Sequence, residues 1–238
     1  MNQRFIQNIS IDWNKIDDFS YLRRIPALQF DEPLELTSNI TFFVGENGTG
    51  KSTLLEGIAV AYGFNPEGGT KNYNFSTYDS HSELHRALRM KKGFKMPKWS
   101  YFLRAESFYN VASKELQYAD ASHPSLRLHE RSHGESFLAL AQSSFRENGL
   151  YLLDEPEAAL SPQRQLTLLI EISRLAKTGA QFIIASHSPI LLGIPDAQIL
   201  SFDNGIIHEC EYEDTESYQV TEMFINNREY FLSRLLSE

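Results

Sequence analysis

Three short apolar runs, Thr41–Val44, Leu150–Leu153 and Gln181–Ala185, recur along the chain, each bounded by glycine or polar residues. Runs of that length without alternation predict buried strands of a parallel sheet, since both faces of such a strand are covered. Helical patterns alternate with them. KSTLLEGIAVAY follows the first run almost directly. Between the second and third, Ser161 and Pro162 supply an N-cap and an N1 proline, and Gly179 supplies a stop. Leu166, Leu169, Ile170 and Leu175 are expected to form the inward stripe of that helix. This alternation, over about 34–62 and 149–202, predicts an α/β fold with a mostly parallel sheet flanked by helices.

The stretch from about 64 to 131 breaks the rhythm. It is polar, rich in Asn, Ser, His and Lys, and is expected to form an inserted lobe, mixed with helices, flanking one strand at Trp99–Leu103. The run 203–216 is acidic and predicts a solvated hairpin and surface loop. A last helix near Val220–Leu236 is expected to pack on the sheet. No internal repeat or long heptad pattern is present, so the whole chain, 1–238, reads as one domain with an insertion.

Composition narrows the class. With 42% hydrophobic and 22% charged residues, the 238-residue chain can bury a core and is not disordered. A net charge of −9 excludes a protein that coats nucleic acid with its whole surface, but not one with a local basic patch. The single cysteine, Cys210, excludes an internal disulfide or a CxxC metal site. The first residues lack a signal-peptide pattern, and no apolar run reaches the roughly 18 residues needed to cross a bilayer. A cytoplasmic location without membrane insertion is the expectation.

The strongest chemical signal is GENGTGKST at 45–53, which matches G-x-x-x-x-G-K-[ST] between a strand and a helix. Gly45, Gly48 and Gly50 let the backbone N–H groups of the loop (with Glu46, Asn47, Thr49 and Thr53) converge on one point, where the helix dipole adds positive charge. Lys51 can reach the β- and γ-phosphates of ATP, and the Ser52 hydroxyl can ligate Mg²⁺. LYLLDEP places Asp154 at the end of an apolar strand, where a carboxylate can hold Mg²⁺, and Glu155 beside it, where one can deprotonate a water. IIASHSP places His187 just past the next strand, within reach of a γ-phosphate. SHGES, 132–136, opens a helix with a capping box, a complete structural explanation by itself. A glycine-containing helix N-terminus with a free hydroxyl is also an anion site.

Taken in order, GENGTGKST, SHGES, LYLLDEP, EAALSP and IIASHSP resemble the ATP-binding-cassette (ABC) class of P-loop ATPases, in particular its soluble SMC/RecF/OLD-like branch. FLRAESFYN and HERSHGESF look like a small family of bacterial predicted ATPases. The resemblance implies a Walker A role for Lys51 and Ser52 and a Walker B role for Asp154 and Glu155. It implies a switch-histidine role for His187. Ser132 and Gly134 match the signature loop, which in this class contacts the γ-phosphate held by an opposing protomer. Three positions depart from the pattern. His133 stands where glycine is usual, Ala158-Ala159-Leu160-Ser161 lacks the usual Asp, and Glu106 replaces a Q-loop glutamine.

Weaker features remain. From Leu84 to Ala105 there is no acidic residue but seven Lys and Arg, interleaved with Phe94, Trp99, Tyr101 and Phe102. That pattern fits a solvated face with its aromatics in the core, or a nucleic-acid contact with stacking rings. Tyr21, Arg23 and Arg24 lie where an adenine or ribose contact is expected from the resemblance. The function expected is a Mg²⁺-dependent ATPase that works as a nucleotide-gated homodimer on a protein or nucleic-acid partner. The alternative is the ATP-binding subunit of an ABC transporter.

Overall fold

The computed structural model describes residues 4–70, 82–106 and 132–237. Two sheets organise them. The larger runs β5 (Trp99–Arg104), β6 (Gly149–Asp154), β7 (Gln181–Ala185), β3 (Ile40–Val44), β8 (Gln198–Ser201) and β9 (His208–Glu209), in that spatial order. Its first five strands are parallel, and β9 pairs antiparallel with β8. The smaller sheet is antiparallel, with β1 (Ile6–Ile11) between β2 (Leu34–Glu35) and β4 (Leu88–Lys92).

The three expected central strands are all present and fully buried. Successive residues point to opposite faces, so each strand feeds two cores. Phe42, Tyr151, Leu153, Phe182 and Ile184 join Phe137 of α3 (His133–Ser144) and Leu168 and Ile172 of α4 (Pro162–Lys177) on one face. Phe43, Leu150, Leu152 and Ile183 join Leu54 and Ile58 of α1 (Lys51–Tyr62), and Ile6 and Ile9 of β1, on the other. Two buried glutamines tie the small sheet to the large one. The Gln181 amide accepts from Phe5 N–H and Ile6 N–H and donates to Ile6 C=O. Gln198 accepts from Thr37 N–H and donates to Glu35 C=O. Buried amides are tolerated there because each of these groups finds a partner.

Three expectations need correction. The inward stripe of α4 is Leu168, Ile172, Leu175 and Ala176, whereas Leu166 and Ile170 are exposed. The helix is apolar on more than one side, so periodicity alone does not fix which side faces the sheet. The end of the chain forms two helices, α5 (Glu216–Asn226) and α6 (Arg228–Leu235), with no buried residue in either. They do not pack on the sheet. Finally, residues 84–104 of the expected lobe are woven into the body: α2 (Leu84–Ala87) packs on α1, β4 completes the small sheet and β5 edges the large one. Residues 71–81 and 107–131 of that stretch lie outside the described residues.

Candidate functional site

Parallel strands present their C-terminal ends at one edge, and four of them converge there. β3 runs into the glycine loop, β6 ends at Asp154, β7 leads to His187 and β8 to Asp203. The loop closes on itself: Lys51 Nζ donates to Gly45 C=O and Glu46 C=O, both at 2.6 Å. Burial lowers the Lys51 pKa, opposed by the attraction of Glu155, Asp203, Asp154 and Glu157. An arriving phosphate can take over the bonds that the ammonium now makes to backbone carbonyls.

Ser52 Oγ donates to Asp154 Oδ1 at 2.8 Å. Both line a cavity of about 90 Å³ with Arg104, Ala105, Glu106 and Glu155. A hydroxyl and carboxylates are the oxygen ligands a hard divalent cation prefers, so the donor set fits Mg²⁺. Burial pushes the Asp154 carboxyl up, while Ser52 and Arg104 pull it down. Arg104 pairs with Glu56, Glu106 and, more loosely at 3.5 Å, Asp154. Glu106, at the Q-loop position, is thus tied to Arg104 at the mouth of this cavity.

Glu155 sits in the left-handed region (φ 50°, ψ 51°), fixed by its N–H donating to Ala185 C=O at 2.9 Å. That conformation costs a non-glycine residue about 1–2 kcal/mol. It turns the chain out of β6 into the Pro156–Ala159 turn, so adjacent carboxylates are not on successive positions of one strand. Glu157, further along this turn, accepts from His187 N–H at 2.5 Å, and burial raises its carboxyl pKa. His187 Nε2 is buried and makes no hydrogen bond in the structure. Burial and the Lys51 charge hold the imidazole below its usual pKa, with Glu155 and Asp203 acting in the opposite sense. A neutral ring with an unsatisfied nitrogen can donate to a phosphate oxygen or a water.

Asp203 clasps the start of the loop. Its Oδ1 accepts from Glu46 N–H at 2.9 Å and its Oδ2 from Ser201 Oγ at 2.9 Å. Gly45 has φ +130°, and a Cβ there would lie 2.7 Å from Asp203 Oδ1. Glycine is required both for the turn and for this approach.

The SHGES segment is separate from the loop. Ser132 and Glu135 form the expected capping box, and Arg164 pairs with Glu135. Gly134 packs so tightly that a Cβ would lie 2.8 Å from Ala159 C=O. Among the described residues no hydrogen bond links Ser132 or Gly134 to 45–53. Of the residues considered for adenine, Arg23 is committed to Trp13, Ile16 and Asp17 carbonyls and to Asp18, while Tyr21 and Arg24 are exposed. Tyr101 and Phe102 of the basic stretch are core residues, which removes two of its four candidate stacking rings.

Reading the sequence missed Arg104, Glu157 and Asp203. Glu157 sits two residues after the acid pair and carried that much signal. Arg104 and Asp203 gain their places only from the alignment of β5 with β6 and of β8 with β3.

Comparison with known proteins bears on the fold. The solved cbiO1 of Clostridium perfringens, part of an ABC transporter complex, superposes with TM-score 0.52 over 95% of this chain and 97% of its own, at 13% identity. The fold is that of an ABC-type P-loop ATPase. Two family descriptions match parts of the chain: "AAA domain" over residues 20–117, and "AAA domain, putative AbiEii toxin, Type IV TA system" over 135–193. The phosphate import ATP-binding protein PstB 1 of Vibrio vulnificus is 29% identical, over 82% of this chain and 80% of its own. The arabinose import ATP-binding protein AraG of Pseudomonas savastanoi pv. phaseolicola is 31% identical over 60% of this chain. That match spans about a third, 32%, of AraG. No described helix is long and apolar enough to cross a membrane.

Proposed function

We propose that this ABC-type chain binds and hydrolyses ATP, and that ATP closes two copies around their nucleotides. The observation carrying this reading is the convergence of Lys51, Ser52, Asp154, Glu155 and His187 at one sheet edge. Lys51 and the loop N–H groups bind the phosphates. Ser52 and Asp154 would hold Mg²⁺, which would supply neutralisation of phosphate charge. A divalent cation is needed on charge grounds: four carboxylates act on the single Lys51, and a bare polyanion would be repelled. Glu155 takes a proton from the attacking water, and His187 holds the γ-phosphate or that water in place.

Among the described residues no hydrogen bond joins SHGES to the loop, and Ser132 is exposed. A second copy placed about a two-fold axis would bring its Ser132 and Gly134 to the γ-phosphate, giving two equivalent sites. ATP would bridge the copies, and ADP, lacking that phosphate, would release them. The partner acted on is a protein or a nucleic acid, as in the soluble branch that the motifs resemble. A second reading, an import ATPase subunit serving a separate permease, is favoured by the likeness to PstB 1 and AraG. Co-purification with a membrane protein would select it.

The test of hydrolysis is Glu155→Gln. It should leave ATP binding intact and lower kcat by about 10²–10⁴-fold, since it removes a base and not a phosphate contact. Wild-type turnover in that variant would take Glu155 out of the reaction.

A further inference from the structure

The loop joining β4 to β5 lies at the opposite edge of the large sheet from the nucleotide site. It reads KKGFKMPKW, 91–99. Phe94 is fully exposed (109% of its reference area), Met96 is 67% and Trp99 53% exposed. Its base is fixed at both ends: Gly93 N–H donates to Phe5 C=O, and Lys98 N–H donates to Asn148 C=O. A rigid base therefore presents an apolar tip set among Lys91, Lys95 and Lys98, all exposed. Beside them, Arg89 pairs with Asp12 and Lys92 lies over the Tyr62 ring.

We propose that this loop docks the protein on an anionic lipid surface, with Phe94 and Met96 entering the headgroup layer and the lysines meeting lipid phosphates and carboxylates. Large apolar side chains held out into water, flanked by lysine, match the layered chemistry of a bilayer interface: apolar below, anionic above. A single-stranded nucleic acid fits less well. It needs a platform of flat rings, and two of the four rings in this stretch are buried in the core. Met96 offers no ring, yet its exposure exceeds that of Trp99. The chain as a whole carries a net charge of −9, so approach to an anionic membrane favours a locally cationic face such as this loop. No span is involved; the protein lies on the surface. β5 separates loop from nucleotide site by six residues, roughly 20 Å, so both can be occupied together.

The experiment is co-sedimentation of the full chain with vesicles of phosphatidylcholine alone, or of phosphatidylcholine and phosphatidylserine in equal amounts, with an oligo(dT) titration at the same salt. Wild type should bind the phosphatidylserine vesicles and not the neutral ones. Phe94→Ser with Met96→Ser, and separately Lys91→Gln with Lys95→Gln and Lys98→Gln, should each lower binding by about tenfold or more. Circular dichroism and melting temperature should match wild type, because all five side chains are exposed. Absence of vesicle binding, or binding indifferent to the Phe94/Met96 change, overturns the proposal. Oligo(dT) binding lost in the lysine variant, without vesicle binding, would assign the loop to nucleic acid instead.

Discussion

Strand β5 begins at Trp99 and ends at Arg104, and its two ends lie in opposite chemical worlds. At Arg104 the charges interlock and are largely withdrawn from water: the guanidinium pairs with Glu56, Asp154 and the exposed Glu106, and Ser52 donates to the same Asp154. At Trp99 the charges are lysines in water around an exposed apolar tip. The first arrangement has the cost of desolvation built into it, and that cost is what perturbs Lys51, Asp154, Glu157 and His187. The second is exposed to solvent and can act only on something that arrives from outside. A site for chemistry and a site for contact are thus distinguishable by how their charges are solvated.

That contrast can be broken by moving one lysine charge at each end. Lys51→Ala should weaken ATP binding by at least about tenfold, the loss of a charge-assisted hydrogen bond of about 1.5–3 kcal/mol, as read by nucleotide titration. Lys98→Ala should leave that titration unchanged. Equal effects would mean that the two edges are coupled and the distinction is false.

A smaller effect sharpens the account of the nucleotide edge. Gly45→Ala places a Cβ against Asp203 in a backbone conformation that L-residues resist. Thermal unfolding should show a loss of about 1–3 kcal/mol, with weaker nucleotide binding because the loop opens. Asp203→Ala in the same background should recover part of that loss by removing the clash. No recovery would mean that the strain is backbone alone.

The smallest effect is in pH. His187 is held below its ordinary value of 6.5, so the folded chain binds fewer protons there than the unfolded one. The sign is fixed: stability from this group is complete above pH 6.5 and declines as the pH falls below it. In kcat/KM, which reports the free protein, the His187-dependent limb should also lie below 6.5 and vanish in His187→Gln. A limb above 6.5 would show that nearby carboxylates, not burial and Lys51, govern the ring.

How much of this was readable beforehand follows the same physics. β3, β6, β7, α1 and α4 were legible because a buried parallel strand and a capped helix write themselves locally, in apolar runs, glycines and an N1 proline. The small sheet was not. Its β1–β4 pairing joins residues about eighty positions apart, and LRMKK reads as part of a basic stretch. The α4 face was misjudged because Leu166 and Ile170 are as apolar as Leu168 and Ile172. The two helices at the end carry Val220, Phe224 and Leu235 in solvent, where hydrophobicity suggested contact with the sheet. At the site, the loop, the acid pair and His187 were visible as motifs. Arg104 and Asp203 were not, since a strand register, not a spacing, brings them there.

The central claim is that the γ-phosphate is the cement between two copies, and Glu155→Gln, which should bind ATP without consuming it, gives the most direct test. Its mass in solution would be measured with ATP–Mg²⁺, with ADP and with no nucleotide. The account predicts a dimer with ATP–Mg²⁺ and a monomer in the other two conditions, and predicts that Ser132→Arg abolishes the dimer while sparing ATP binding. A mass independent of nucleotide, or a dimer untouched by Ser132→Arg, would contradict it and leave SHGES as a helix cap alone.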